Sequence, residues 1–497
     1  DSIVINTDWN SFFSMKEINR NELFVDQKIT EEKAILAVRL DGLRPVIPPS
    51  FNTGQRVGNF LNLITLYAPL HTENHFSELL YDFKAVCTEF VNGGLVILDK
   101  GSLSQAMRAS SSVSLLLPPV QKDSLLLVDG GLVSNIPVKP AKEGGAELVI
   151  ASNTSSPLLT EDELDLPWRI ADQMVSIPMK ILNEQQLKEA DAVIEPSIGY
   201  LKNTDFSNIR MLIDEGYKAA SQNIELIRAK IKEAFVRKNS SAPVYISNLA
   251  LGENPSEYEK EIFEKLKNEE VINSREVLFE LAEIFRRGNL KSANIEITSS
   301  GNKKILRVNA VENPAVKSFA LEGITLLPPG TAEKVFAPLA GSPFNAKKTV
   351  HTLLNILSLY REAGYPFVSV KEVKFNAETG KLNVLFDEVK VSELDIEGNV
   401  KTQGDIIKRE FIFENGNIKF DAIQNGLMNL RTTNIFDDVE VYPHKENNVY
   451  KLRVDVKEKL STVLRFGLRV DNEYMTQLSL DLRDENFLGT GAEFGFI

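Results

Sequence analysis

An aspartate followed by two glycines is the best candidate in this chain for acid–base chemistry. Asp129, Gly130 and Gly131 directly follow the apolar run 125–128 (LLLV), which is typical of a strand buried on both faces. A carboxylate at the end of such a strand is partly desolvated, and desolvation raises its pKa and its strength as a base. The glycines permit a tight turn, a positive φ and close approach of a neighbouring backbone. Asp129 is therefore a candidate general base, although an Asp-Gly turn that simply closes a hairpin has the same local pattern.

The serines offer no equally clear nucleophile. A reactive serine usually sits in Gly-x-Ser-x-Gly, a sharp strand-to-helix turn that exposes its hydroxyl, and these 497 residues do not contain that motif. Ser104 has a glycine three residues before it but lacks a glycine two residues after it. Ser110, Ser111 and Ser112 lack flanking glycines and fit better as polar residues of a loop or of a helix start. The sequence thus supplies a base without an obvious nucleophile.

Metal and cofactor chemistry is not indicated by the histidines or the cysteine. His71 and His75 are four residues apart, but they follow Pro69 in a segment that is poorly suited to a preformed helical zinc site. Cys87 is the one cysteine, lies in an apolar run and is expected to be a small buried side chain that forms no intramolecular disulfide. We expect neither a metal nor a cofactor.

Length and charge narrow the class of protein. A chain of 497 residues should form several domains, because single cores stop growing at about 250–300 residues. The formal net charge of −13 argues against a nucleic-acid-binding protein, which would carry a basic surface. No run of residues approaches the roughly 20 consecutive apolar positions that a membrane-spanning helix requires.

The range 1–237 is predicted to be one α/β domain, because strand-like and helix-like segments alternate along it. The predicted strands are 34–38, 83–90, 95–98, 125–128 and 147–151, and the predicted helices are 55–67, 103–109, 137–142, 168–190 and 208–237.

A polar linker at 238–243 leads into a sequence plan that occurs three times, over 243–313, 315–389 and 390–459. Each copy begins with a strand, continues with two helices and ends with two strands. Leu321-Glu322-Gly323 at the start of one copy matches Ile396-Glu397-Gly398, 75 residues later. Repeats of this length are predicted to be separate small α+β domains.

The last range, 460–497, has a different pattern. Apolar and polar residues alternate over 463–470 and over 477–483, as in strands with one face toward lipid and one toward a polar lumen. An ordinary half-exposed hairpin has the same alternation.

The first range resembles the patatin-like phospholipase family. The resemblance rests on Met107-Arg108-Ala109-Ser110, Pro118-Pro119-Val120, Leu127-Val128-Asp129-Gly130-Gly131 and Asn135-Ile136-Pro137-Val138, in that order. By this resemblance, Asp129 is the aspartate of a two-residue Ser–Asp catalytic dyad, and Gly130 and Gly131 form its supporting turn. The family's glycine-rich oxyanion loop and nucleophilic serine have no counterpart in these residues, so we expect an incomplete site that does not hydrolyse esters alone.

The three repeats resemble POTRA domains, periplasmic modules that precede outer-membrane barrels. The tail 486–491 (NFLGTG) resembles the entry strands of outer-membrane surface-antigen barrels. These resemblances imply an incomplete α/β patatin-like domain, three POTRA-like domains of β-α-α-β-β order and the first strands of a β-barrel. The smallest such barrels have about 8 strands, so we expect the chain to be truncated at its end as well as at its start.

Two functions are compatible with these resemblances. The first is a lipid acyl hydrolase attached to the bacterial outer membrane, with its hydrolase and POTRA-like parts periplasmic or exposed and with phospholipid as substrate. The second is a non-enzymatic periplasmic module with a degenerate patatin-like domain, whose POTRA-like sheet edges bind unfolded polypeptide or barrel-assembly machinery.

Overall fold

The described residues form two compact units. The computed structural model describes residues 2–12, 36–47, 50, 52–71, 75–113, 116–199, 201, 205–239, 241–446, 449–471 and 475–496. One unit comprises 136–356 and 370–387, and the other comprises 2–135, 357–369 and 388–497. The predicted domain over 1–237 is divided between these units after Asn135, so its boundary stays a prediction.

The segment before Asn135 contains a four-stranded antiparallel sheet, in which the neighbouring strands are, in order, Leu95–Leu98, Ala85–Glu89, Leu125–Asp129 and Val120–Lys122. Its core combines strand residues such as Leu127 with Ala106 and Ala109 of a helix that covers one face. The helices are α1 (Ser2–Asn6), α2 (Trp9–Phe12), α3 (Gln55–Tyr67), α4 (Leu103–Ser110) and α5 (Gly131–Ser134), and the strands are β1 (Leu36–Asp41), β2 (Arg44–Val46), β3 (Ala85–Glu89), β4 (Leu95–Leu98), β5 (Val120–Lys122) and β6 (Leu125–Asp129). The predicted helices 55–67 and 103–109 and the predicted strand 95–98 are confirmed.

The predicted strand 34–38 lies in a different sheet from Asp129. Ala34 and Ile35 lie outside the described residues, and β1 begins at Leu36. This strand pairs antiparallel with β20, the strand Thr462–Asp471, instead of joining the sheet that carries Asp129. Alternation identifies a strand from local sequence, but the choice of a partner more than 400 residues away depends on which sheet edge is free.

The segment 136–239 is largely helical. It also contains two short strands, Ile150–Ser152 and Ala192–Ile194, which pair in parallel. The helix predicted over 208–237 is two helices, because the chain breaks at Asn223, whose side-chain amide donates to Ala219 O at 2.9 Å. Its elements are α6 (Val138–Glu143), β7 (Ile150–Ser152), α7 (Pro167–Glu189), β8 (Ala192–Ile194), α8 (Ile209–Gln222) and α9 (Ile224–Lys238).

The β-α-α-β-β order predicted for the three repeats is found in the second and third, and the first has this order with two short strands added. The first repeat contains β9 (Tyr245–Ser247), β10 (Leu249–Leu251), α10 (Glu257–Leu266), β11 (Val271–Asn273), α11 (Ser274–Phe285), β12 (Leu290–Ser300) and β13 (Lys303–Glu312). The second contains β14 (Ser318–Glu322), α12 (Thr331–Phe336), α13 (Ala346–Glu362), β15 (Ser369–Asn376) and β16 (Lys381–Asp387), and the third contains β17 (Leu394–Glu397), α14 (Gly404–Lys408), α15 (Phe420–Thr432), β18 (Phe436–Glu446) and β19 (Val449–Glu458).

The three repeats share one sheet topology, with the last strand in the centre. The strand orders are β10-β13-β12, β14-β16-β15 and β17-β19-β18. In each sheet the first strand runs parallel to the last. The small pair β9–β11 is an addition that the first repeat alone shows among the described residues.

The matched glycines of the second and third repeats have one physical role. Gly323 and Gly398 adopt φ values of +77° and +84°, which side chains rarely tolerate. A Cβ at Gly323 would lie 2.2 Å from Phe386 O, and one at Gly398 would lie 2.0 Å from Val456 O. Each glycine therefore lets the chain leave the first strand directly over the backbone of the central strand.

The last three strands of the chain, Thr462–Asp471, Met475–Phe487 and Ala492–Phe496, form a five-stranded sheet together with β1 and β2, in which β1 is the neighbour of Thr462–Asp471. Besides β20 it contains β21 (Met475–Phe487) and β22 (Ala492–Phe496). None of the described helices combines the length and the hydropathy needed to cross a membrane.

Candidate functional site

Strand β6 fixes the position of Asp129. The strand is hydrogen-bonded to β3 and β5, and Leu127 and Val128 are fully buried, whereas Leu125 and Leu126 are half-buried. Asp129 lies opposite Cys87 on β3, and its own N–H donates to Ser112 O at 3.1 Å. The chain turns into α5 at once, so the aspartate stands at the junction between a buried strand and a helix.

Gly130 is required by a close backbone approach. A Cβ at this residue would lie 2.3 Å from Val86 O and 2.7 Å from Val86 C. Gly130 does not use the positive φ that a glycine permits, because it has φ −64° and a right-handed helical conformation. The predicted close approach of a neighbouring strand is confirmed, and it alone excludes a larger residue here.

Burial controls the acidity of Asp129. Its carboxylate Oδ1 accepts a hydrogen bond from the Gly131 N–H at 2.7 Å. Burial raises the pKa of Asp129 above the ordinary aspartate value, while the hydrogen bond from Gly131 acts in the opposite direction. The predicted direction of this pKa shift is confirmed, and Oδ2 accepts no hydrogen bond from the described residues.

Cys87 is inert beside this carboxylate. Burial and, to a lesser extent, the charge of Asp129 raise the pKa of the Cys87 thiol to about 11. The side chain is fully buried, as the sequence predicted, and remains a neutral thiol at physiological pH.

The candidate serines of α4 and the following turn make their hydrogen bonds away from Asp129. Ser104 is buried, and its Oγ donates to Asn62 Oδ1 at 2.7 Å. Ser110 Oγ donates to Val86 O at 2.8 Å, and Ser112 Oγ donates to Arg108 O at 2.7 Å. None of the three is poised to lose a proton to Asp129 in the described part of the chain.

A buried ionisable cluster next to α4 was not predicted. The Arg108 guanidinium donates to Ser112 Oγ at 2.6 Å and packs against Gly54, where a Cβ would lie 2.1 Å from its Nη2. The charges of Asp438 and Glu440 raise the pKa of Arg108, but burial, the larger effect, lowers it. Burial also raises the pKa of Glu440 well above its usual range, and Glu440 Oε2 has no hydrogen-bond partner among the described residues. The two acids belong to a strand of the third repeat, so no local motif could have indicated this cluster.

A cavity of about 620 Å³ opens at the start of α4. Its lining includes three of the four histidines of the chain, together with Lys100 and Lys122. These residues come from several distant segments, and for that reason no local pattern in the sequence indicated the cavity. The described residues contain no group of three histidine, cysteine, aspartate or glutamate side chains able to hold a metal ion.

Strands β20–β22 separate apolar from charged side chains, as the alternation predicted. One face of the sheet exposes leucines and phenylalanines, and cross-strand pairs such as Phe466–Leu480 and Leu468–Leu478 make this face continuous. The other face carries linked ion pairs, which join Arg39 and Arg465 to Glu485 at 2.9 and 2.6 Å and Arg483 to Asp481 and Glu493 at 3.0 and 2.6 Å. Such a sheet has the two faces of a lipid-facing strand pair, although lipid contact itself stays a prediction.

Comparisons with known proteins relate the first part of the chain to lipid hydrolases. Residues 7–142 match the sequence model of the patatin-like phospholipase family. Patatin-like phospholipase domain-containing protein 6 of Mus musculus is 27% identical over 178 residues, which cover 29% of this chain and 13% of that protein. Patatin-like phospholipase domain-containing protein 7 of Mus musculus is 34% identical over 150 residues, which cover 27% of this chain and 11% of that protein. The chain therefore spans a small fraction of the length of these relatives.

A solved structure of POTRA domains 1–3 of the periplasmic domain of Omp85 from Anabaena is also similar. The TM-score is 0.34 at 17% sequence identity, and the match covers 44% of this chain and 97% of that chain. We therefore describe the fold of the three repeats from their own β-α-α-β-β order and shared sheet topology, and not from this similarity.

Proposed function

We propose that this chain, which carries a patatin-like phospholipase domain over residues 7–142, belongs to a lipid acyl hydrolase in which Asp129 is the general base. The main support for the proposal is the state of this carboxylate. Burial raises the pKa of Asp129, Gly131 holds Oδ1, and Oδ2 accepts no hydrogen bond from the described residues. A base of this kind needs a raised pKa, a fixed orientation and one oxygen available for the incoming proton.

The reaction is acyl transfer through a serine. Asp129 accepts the proton of the serine hydroxyl while the serine oxygen attacks the ester carbonyl carbon. The proton then passes to the departing alcohol as the acyl–serine ester forms. A water molecule then gives a proton to the same carboxylate and attacks the acyl carbon, and the fatty acid is released as the serine oxygen takes that proton back. No histidine is required in this scheme.

The nucleophile in the proposal is a serine on a Gly-x-Ser-x-Gly turn. These 497 residues contain no such motif, and Ser104, Ser110 and Ser112 are engaged elsewhere. We therefore expect these 497 residues alone to show no ester turnover. Asp129 acts only where a polypeptide segment with that motif completes the site.

The remaining parts of the chain attach the hydrolase to a bacterial outer membrane. The apolar face of β20–β22 is suited to lipid, and the ion pairs on the opposite face are suited to a polar lumen. The three repeats then act as periplasmic spacers between the hydrolase and the membrane, and phospholipid is the substrate class.

The test is ester turnover by the complete natural polypeptide, measured with a fluorogenic phospholipid in vesicles. Replacing the base through Asp129→Asn should lower kcat/KM by about 100- to 10,000-fold, the usual contribution of a general base. Asp82→Asn is the matched control, because the Asp82 carboxylate is 57% exposed and lies 3.7 Å from Lys84 in a surface ion pair. Near-normal turnover by a folded Asp129→Asn variant contradicts the proposal.

A second function is suggested by the sheet edges of the repeats. Strand β12 is an outer strand of 11 residues whose side chains are mostly exposed, and one of its edges lacks a partner strand in the sheet order of the described residues. An extended polypeptide could add to this edge through main-chain hydrogen bonds. Binding of unfolded outer-membrane polypeptides by the full chain, together with no measurable ester turnover by the complete natural polypeptide, would favour this adaptor function over the hydrolase.

A further inference from the structure

The cavity at the start of α4 has an unusual lining for so acidic a chain. Besides apolar side chains, its lining includes three imidazoles, two serines, Lys100, Lys122 and the exposed carboxylate of Asp123. The whole chain carries a formal net charge of −13, yet the side chains that carry a full charge in this cavity are two cations and one anion. A cavity of this composition favours an anionic ligand.

The two lysines are available to a ligand. Lys122 Nζ donates to the neutral amide oxygen of Gln105 at 2.9 Å, and no described carboxylate forms an ion pair with Lys122 or with Lys100. Many other lysines of the chain have such partners, as Lys84 does with Asp82 at 3.7 Å. Ammonium groups without carboxylate partners in a concave site attract anions more strongly than paired groups on an open surface.

The start of a helix lies at the same cavity. Helix α4 begins at Leu103, and Ser102 is its N-cap residue, with its Oγ accepting from the Gln105 N–H at 3.1 Å. The positive end of the helix therefore adds to the field of the lysines. Burial and the charge of Arg361 lower the pKa of His71 to about 4, so this imidazole is neutral at physiological pH, and its Nε2 lies 3.0 Å from Leu66 O.

We propose that this cavity binds a phosphate-bearing anion, held by Lys100 and Lys122 at the start of α4. A phosphoryl group offers several acceptor oxygens and a charge that matches two ammonium groups. The volume of about 620 Å³ leaves room for an organic group attached to the phosphate. The site lies at the opposite end of α4 from Ser110, whose neighbour in space is the strand beside Asp129. It does not rest on the hydrolase proposal and holds if Asp129 has no catalytic role.

Calorimetric titration of the full chain tests the site with inorganic phosphate and with sn-glycerol 3-phosphate. A parallel arm measures co-sedimentation with vesicles of phosphatidylglycerol in phosphatidylcholine and with pure phosphatidylcholine vesicles. The double variant Lys100→Gln/Lys122→Gln should bind about 100-fold more weakly, roughly tenfold for each ammonium group removed. Lys84→Gln removes a lysine outside the cavity and should bind as the unsubstituted chain does. Circular dichroism establishes that each variant is folded.

Saturable binding of a soluble phosphate that is weakened in the double variant supports the site and identifies a free phosphoryl compound as its ligand. Binding to phosphatidylglycerol vesicles alone, again abolished in the double variant, supports the site and identifies a lipid headgroup. Absence of binding in both arms overturns the proposal. Binding that the double variant retains at full strength also overturns it.

Discussion

Replacing Gly130 with alanine should destabilise the unit that contains Asp129. The added Cβ would lie 2.3 Å from Val86 O, whereas ordinary contacts are 3.4–4 Å, so the two backbones must separate by at least about 1 Å. Neither backbone can yield easily, because Val86 is paired with Ile97 and its neighbour Cys87 is paired with Asp129. Overpacking of a rigid interior costs about 1–3 kcal/mol, and a clash between two backbones should reach roughly 3 kcal/mol. The backbone of Gly130, with φ −64°, adds no conformational strain of its own.

The two tryptophans allow each unit to be followed separately. Trp9 packs on Phe60 of α3, with ring centroids 5.7 Å apart, and both residues belong to the unit that contains Gly130. In a Trp168→Phe background, Trp9 fluorescence during urea unfolding reports the free energy of unfolding of this unit alone. Gly404→Ala is the matched control, because its Cβ would meet Asn399 Nδ2 at 3.9 Å without a clash. A Gly130→Ala variant whose free energy of unfolding lies within about 0.5 kcal/mol of the parent would show that the two backbones separate at little cost.

Two further outcomes follow from buried titratable groups. Burial raises the pKa of Cys87 to about 11, so a disulfide reagent should leave this thiol unmodified at pH 8 in the folded chain and modify it fully in urea. The absorbance of the released thiolate measures the modification. Rapid modification under native conditions would contradict the burial of Cys87. Glu440 has a folded-state pKa raised well above 4.5, so its contribution to stability is complete below pH 4.5 and is lost as the pH rises through the folded-state value. In the Glu440→Gln variant, the free energy of unfolding should therefore fall less between pH 5 and pH 8, and the variant should be more stable than the parent at pH 8. An unchanged pH dependence would show that Glu440 is not the group responsible.

Local periodicity was sufficient for most individual elements. The apolar spacing over 55–67 predicted α3 with its observed bounds, because an amphipathic stripe is a property of consecutive residues. The matched Glu-Gly pairs identified the repeats correctly, since Gly323 and Gly398 meet the same steric demand in the same sheet topology. The break at Asn223 was missed, because the helical pattern on both sides of it is continuous and the interruption depends on one cap residue.

Pairings and sites formed by distant segments could not be predicted in the same way. The sequence predicted the strand that ends at Asp129 and the direction of the pKa shift of this residue, because a buried strand and the residue that ends it are adjacent in the chain. It did not predict the pairing of β1 with β20, nor the burial of Arg108 near Asp438 and Glu440. These features depend on three-dimensional proximity between residues hundreds of positions apart, and a single sequence carries no local signal of such proximity.

In the proposed reaction, Asp129 at the end of strand β6 serves as the base without a histidine. An exposed aspartate is too weak a base for a serine hydroxyl, and one that is fully buried without donors would keep its proton. Asp129 lies between these limits, because burial raises its pKa while the Gly131 N–H stabilises the charged form through Oδ1. Since the negative charge of Asp129 also raises the pKa of Cys87, the neighbouring thiol stays protonated and does not compete as a nucleophile. Gly130 therefore allows the close approach of β3, while the N–H of Gly131 orients the carboxylate and opposes the effect of burial on its pKa.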